Sequence, residues 1–158
     1  MSVPNQDQPP PGPGVAFLLA QLGAHAADRF ALLLSEDDLT PPLAGIMRLL
    51  RGSPGLSQQQ LADRLGVAPS RIVSYVDDLE ARGWLSRTRD SEDRRVNVLA
   101  LTAKGQKAFA SLAAVARGHE ATITAALTAA ERETLMKLLT KLAADQQLVP
   151  GVHPGYRK

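Results

Sequence analysis

The feature that most constrains this chain is a pair of short helix signals joined by three residues and followed at once by two β-leaning segments. Ser57-Gln58-Gln59-Gln60 has the form of a capping box, in which the Ser57 hydroxyl and the Gln60 amide satisfy each other's backbone donors at a helix start. The helix it opens runs to Leu65 and is closed by Gly66. A second helix begins near Pro69, carries Ile72, Val76 and Leu79 on one face, and ends at Gly83. Joined through Gly66-Val67-Ala68, the two make a helix-turn-helix. Residues 84–89 and 95–101 then read as strands separated by the charged stretch 90–94, which is a hairpin with an exposed tip. Trp84, at the start of the first strand, is expected to anchor this wing in the core.

The flanks are helical. Apolar residues at 15, 18, 22, 26, 30 and 33 recur at the spacing of one helix face. Thr40-Pro41-Pro42 reads as a helix start, with threonine as cap and proline tolerated in the first turn, and that helix runs to about residue 50. Thr102 caps a long helix to about residue 127, and Thr128 with Glu131 forms a second capping box that opens a helix to about residue 146. Residues 1–13 hold five prolines and almost no apolar side chains, so they form a disordered tail, and residues 148–158 are expected to be a flexible one. The fold class is mainly α with a small antiparallel β-hairpin, in a single domain over residues 14–147 with the winged helix-turn-helix at 57–101.

Several function classes fall away. With no cysteine, the chain has no disulfide, thiolate metal site or thiol redox chemistry. His25, His119 and His153 are dispersed, without acid partners at metal-ligand spacing, so no metal site or cofactor is expected. There is no Gly-rich phosphate loop, G-x-S-x-G or H-E-x-x-H, so the chain does not read as an enzyme. No apolar run is read as reaching the roughly 18 residues a membrane span needs, and the N-terminus lacks the apolar stretch of a secretion signal. The expectation is a cytoplasmic protein without a membrane partner.

A helix-turn-helix with a wing is a unit for docking on double-stranded DNA, the second helix entering the major groove and the wing reaching the flanking minor groove. Between residues 57 and 100 seven arginines face seven acids, so a footprint on DNA requires that the charges segregate onto different faces. Ser70, Arg71, Ser74 and Tyr75 are the residues expected to point outward from the second helix, with Arg71 able to present a bidentate fork to guanine. Asp77, Asp78 and Glu80 lie further along and would repel phosphates unless paired. Arg87 and Arg89 share one strand face and are candidate phosphate contacts, while Arg94 and Arg95 stand at the wing tip, Arg94 being the choice for the minor groove.

At these residues the chain resembles the MarR family of multiple-antibiotic-resistance-type regulators. The resemblance is carried by Leu39-Thr40-Pro41-Pro42, SQQQLADRL at 57–65, VDDLEARGWL at 76–85, Asp93-Arg94-Arg95, Leu101-Thr102-Ala103-Lys104-Gly105, and Leu127-Thr128-Ala129-Ala130-Glu131, over roughly residues 14–146. It implies a two-fold homodimer built from helices at 14–35 and 103–146. Such a dimer binds a pseudopalindromic operator, usually represses nearby genes, and uses Arg94 as wing arginine. It also implies release from DNA by a small-molecule effector, a phenolic or aromatic acid. The chain departs from the family pattern at Ala68-Pro69, where a serine commonly caps the recognition helix. His25 and Arg29, one turn apart, with Arg48 on the next helix, are the residues proposed to orient such an anion. The rival reading is a winged-helix module that binds protein and never touches DNA; it would present an apolar second helix, whereas Ser70, Arg71 and Ser74 are polar.

Overall fold

The computed structural model describes residues 12–89 and 97–153. In chain order the elements are α1 (Val15–Ser35), α2 (Pro41–Gly52), β1 (Leu56–Ser57), α3 (Gln58–Leu65), α4 (Pro69–Ala81), β2 (Leu85–Arg89), β3 (Asn97–Leu101), α5 (Ala103–Ile123) and α6 (Ala129–Asp145). The sheet has the order β1-β3-β2, both pairs antiparallel, with Leu85 opposite Leu101 and Leu56 opposite Leu99. The hairpin expected from sequence is therefore the larger part of a three-stranded sheet. β1 escapes a reading by pattern because two residues carry no alternation.

Local chemistry sets most of the boundaries. Both capping boxes form: the Gln60 N–H donates to Ser57 Oγ at 3.2 Å, and the Glu131 N–H to Thr128 Oγ1 at 3.3 Å, each with the reciprocal bond in place. Gly66 closes α3 at φ 62°, a left-handed conformation that costs glycine nothing and turns the chain toward α4. Thr40 precedes α2 without a side-chain cap bond. Pro41 and Pro42 bring no N–H, so part of the set of free donors a cap would serve is missing. α5 ends at Ile123, four residues before the expected end, where the Thr122 and Thr124 hydroxyls bond back to the Gly118 and Glu120 carbonyls.

The core lies in the winged body. Ile46, Met47 and Leu50 of α2 meet Leu61 of α3, Ile72, Val76 and Leu79 of α4, and Leu85 and Leu99 of the sheet, all fully buried. The terminal helices contribute little to it: α1 buries only Leu34, and α6 buries nothing. Both instead expose apolar side chains, among them Phe17, Leu22 and Leu32 on α1 and Met136, Leu138 and Leu142 on α6. By length and composition α1 is long and apolar enough to cross a membrane, which corrects the sequence estimate. The tail also differs from expectation, because Val152 packs against the core as a half-buried side chain. Residues 1–11 and 154–158 of the two proposed tails lie outside the described residues.

Candidate nucleic-acid interface

α4 is amphipathic in a way that leaves one face for a partner. Ile72, Val76 and Leu79 are buried, while Ser70, Arg71, Val73, Ser74 and Asp77 are exposed at intervening positions. Of the four residues expected to point outward, Ser70, Arg71 and Ser74 do so. Tyr75 does not: it sits beside the apolar stripe and is half-buried against the core. The Ser74 hydroxyl reaches the Ser70 carbonyl at 3.5 Å, the outer limit of a hydrogen bond, so it is lightly held and open to a better acceptor. Ala68, preceding the helix, supplies no side-chain cap. Pro69 at the first position brings no N–H and the Arg71 N–H donates to the Ala68 carbonyl at 3.0 Å, so the first turn offers an anion little beyond the Ser70 N–H.

The acids of α4 are all paired, three carboxylates with two guanidiniums, which leaves one net negative charge. Arg87 on β2 directs one terminal nitrogen to Asp77 and the other to Glu80 at 2.8 Å. Arg82 bonds Asp78 at 2.7 Å, and that hydrogen bond is the main cause that raises the pKa of its guanidinium. Arg87 was expected among the phosphate contacts; its fork is committed to α4 instead, because β2 runs alongside that helix. It works as a clamp that holds the wing against α4 while offsetting one of two charges that would repel DNA. Arg89, opposite Asn97, remains exposed. Arg94 and Arg95 lie outside the described residues.

α4 and the wing are tied to α5 by a compact junction. The Thr102 hydroxyl donates to the Gly83 carbonyl at 2.6 Å and accepts the Gly105 N–H at 3.0 Å, while the Thr102 N–H donates to the Trp84 carbonyl at 3.0 Å. Lys104 Nζ donates to the Arg82 carbonyl at 2.9 Å. Trp84 itself is half-buried against the core, with the Arg82 guanidinium 5.4 Å from its ring centre. The residues that end α4 and those that start α5 thus form one hydrogen-bonded block.

Of the three residues proposed for an anionic ligand, Arg48 stands apart. It lines a cavity of about 280 Å³ bounded by α1, α2 and α5, together with Phe30, Phe109, Leu112 and Arg117. A neighbouring cavity of about 470 Å³ also contains Arg48 but brings Asp28 and His153 with it. His25 and Arg29 are exposed and line neither cavity. Periodicity placed them on the right helix, but their faces turn away. Arg117, ten residues before the motif that starts at Leu127 and twelve after Gly105, carried no signal in the sequence.

Comparison with known proteins agrees with this geometry. The MarR family model matches residues 37–96. The chain is 33% identical over 119 residues to a putative transcriptional regulatory protein for the hcr operon of Thauera aromatica, covering 75% of this chain and 72% of that protein. It is 31% identical over 131 residues to the HTH-type transcriptional repressor Rv2887 of Mycobacterium tuberculosis, covering 83% and 94%. The structure of Rv2887 in complex with DNA superposes with a TM-score of 0.73 at 30% identity, over 82% of this chain and 98% of that one. The transcriptional repressor CouR bound to a 23-mer DNA duplex gives 0.72, also at 30% identity, over 82% and 92%.

Proposed function

The chain belongs to the MarR family, and from that premise we infer that it is a transcriptional regulator that binds a double-stranded operator sequence-specifically as a homodimer and represses nearby genes. The observation that carries this reading is the state of α4. Its exposed N-terminal half is polar apart from Val73 and has no side-chain cap, and every acid in its C-terminal half is held by an arginine of the same body. The N-terminal half holds no acid, so it enters the major groove without charge repulsion, with Ser70, Arg71 and Ser74 toward bases or phosphates, while pairing leaves one net negative charge further along. Arg94 supplies the minor-groove contact and Arg89 and Arg95 flanking contacts to the backbone. The protein-binding alternative requires an apolar face on α4, and that face is polar at Ser70, Arg71, Ser74 and Asp77, with Val73 its one apolar side chain.

The dimer follows from what the core leaves uncovered. Two terminal helices expose rows of large apolar side chains on a protomer whose winged body is otherwise well packed. A second copy related by a two-fold axis covers both rows with the same residues and sets the two recognition helices about one DNA turn, roughly 34 Å, apart. Asp28, Arg29 and His25 interrupt α1, in keeping with a partner helix rather than lipid. The operator lies in the cytoplasm, and the protein acts there.

An aromatic carboxylate is the effector chemistry that fits the 280 Å³ cavity, where two guanidiniums, Arg48 and Arg117, stand beside the rings of Phe30 and Phe109. Since the cavity is bounded by α5, and α5 is locked to α4 through Thr102 and Gly105, occupancy shifts the spacing of the recognition helices. The test is a fluorescence-anisotropy titration against the upstream intergenic DNA in excess unrelated competitor, at two salt concentrations, with and without salicylate. Saturable, competitor-resistant binding with a steep salt slope is expected. Binding no tighter than that of unrelated DNA, from protein shown to be a folded dimer, refutes the assignment. Salicylate that leaves the operator affinity unchanged, and shows no heat of binding lost in Arg48→Ala, refutes the effector site.

A further inference from the structure

Among the described residues, large hydrophobic side chains are exposed on α1, on α6, on the segment just after α6, and at one other position, Val73 of α4. All but Val73 sit on the terminal helices or beside them, where a second copy accounts for them. Val73, 44% exposed, is the single large apolar side chain that the described residues of the winged body present to solvent. It lies one turn after Ser70 and one turn before Asp77, in the row of side chains along the groove-facing side. Its β-branch makes it a poorer helix former than alanine at a site where no packing compensates. The acids next along that row, Asp77 and Glu80, share the single guanidinium of Arg87, which leaves one net negative charge a turn or more beyond Val73.

We propose that Val73 is a specificity-determining residue that packs against the 5-methyl group of a thymine in each operator half-site. The inference rests on the reading of α4 as the helix that enters the major groove. Within that groove the base edges offer donors, acceptors and a single apolar group, the thymine methyl. An isopropyl side chain therefore has one complementary partner there and none on the phosphate backbone. Ser70 and Ser74 adapt to several hydrogen-bonding edges and discriminate weakly, so an apolar reader beside them contributes selectivity that they do not.

The test starts from a random-sequence duplex pool, from which the wild-type dimer enriches its own operator. Each thymine of that operator is then replaced in turn by deoxyuridine, which removes the methyl and leaves the pairing edge intact. One thymine per half-site is expected to be sensitive, with affinity falling about fourfold per methyl, the value of one buried carbon, and about fifteenfold when both half-sites are changed. Val73→Ala, an exposed change to a better helix former, keeps the thermal midpoint and reduces the thymine-to-uracil difference at that position to less than twofold. Uracil tolerated at every position overturns the proposal, as does an equal uracil effect in wild type and Val73→Ala. A pool that yields no enriched sequence overturns the DNA-regulator reading itself, and this inference with it; enrichment followed by indifference to uracil removes only the inference.

Discussion

Gly105→Ala tests the junction between α5 and the wing, because helix propensity and tertiary structure predict opposite signs for it. Gly105 is the third residue of α5, and alanine is favoured over glycine by about 1 kcal/mol in a helix interior. A Cβ built on Gly105 falls 1.9 Å from the Trp84 carbonyl oxygen and 2.7 Å from its carbon, against about 3.5 Å for an ordinary contact. The atoms in the way are backbone, and that carbonyl is already the acceptor of the Thr102 N–H at 3.0 Å. Relief by about 1.5 Å opens that bond and pulls the Gly105 N–H from the Thr102 hydroxyl. Overpacking contributes about 1–3 kcal/mol of destabilisation, and the lost cap and the lost backbone bond about 1 kcal/mol each. Set against the propensity gain, the net loss is about 2–4 kcal/mol. The assay is urea and thermal unfolding at one fixed protomer concentration, since dimerisation makes stability concentration-dependent. A fall in Tm of about 5–15 °C is expected for a chain of this size. Gly52→Ala, at the last position of α2 with no atom within 4 Å of the new carbon, serves as comparison and is expected to be neutral or mildly stabilising. A Gly105→Ala protein as stable as wild type refutes the close approach and with it the coupling of α5 to the recognition helix.

Three further outcomes follow from the same contacts. Arg87→Met is expected to change stability by less than about 1 kcal/mol, as partly exposed ion pairs contribute little, yet to weaken operator binding by about 1–3 kcal/mol because Asp77 and Glu80 are left uncompensated. Adding Asp77→Asn restores part of that affinity in anisotropy titrations, and no recovery argues against the clamp. Arg94→Ala is expected to cost about 1–3 kcal/mol in operator affinity at fixed salt, in line with the loss of one groove contact, and unchanged binding removes Arg94 from the interface. Glu131 accepts the backbone N–H of Thr128 first and its hydroxyl second, so its carboxyl is held below the usual glutamate value. A depressed folded-state pKa means that its contribution is present above the unfolded value of about 4.3 and is lost as pH falls through the folded one. A carboxyl NMR titration of Glu131 is expected to show the lowered midpoint in wild type and a smaller depression in Thr128→Ala, which keeps the backbone donor and loses the hydroxyl; an ordinary midpoint in wild type refutes the reciprocal cap.

Much of the architecture was legible because its signals are short-range. Ser57 with Gln60 and Thr128 with Glu131 are three residues apart, and each pair forms the bonds its spacing implies. Gly66 marks the turn for a reason internal to its own φ angle. The apolar stripe at Ile72, Val76 and Leu79 tells which side of α4 is covered, and Ser70, Arg71 and Ser74 follow as its complement. Tyr75 failed that reasoning because it borders the stripe, where a large amphipathic ring lies partly on the core. β1 was missed because a two-residue strand has no period and owes its existence to β3.

What the sequence by itself determined is the order of elements, their caps and the polar character of the recognition face, all consequences of interactions within one helical turn or one strand. Tertiary structure alone decided that Arg87 reaches back ten residues to Asp77, that Thr102 and Lys104 bind carbonyls some twenty residues earlier, and that Gly105 is glycine because Trp84 is there. It also decided that Arg48, rather than His25 or Arg29, lines the cavities and that Val73 is, among the described residues, the one large apolar side chain exposed on the winged body. Periodicity fixes the face on which a side chain lies, whereas its partner depends on how separate elements pack, and that information is spread over the whole core.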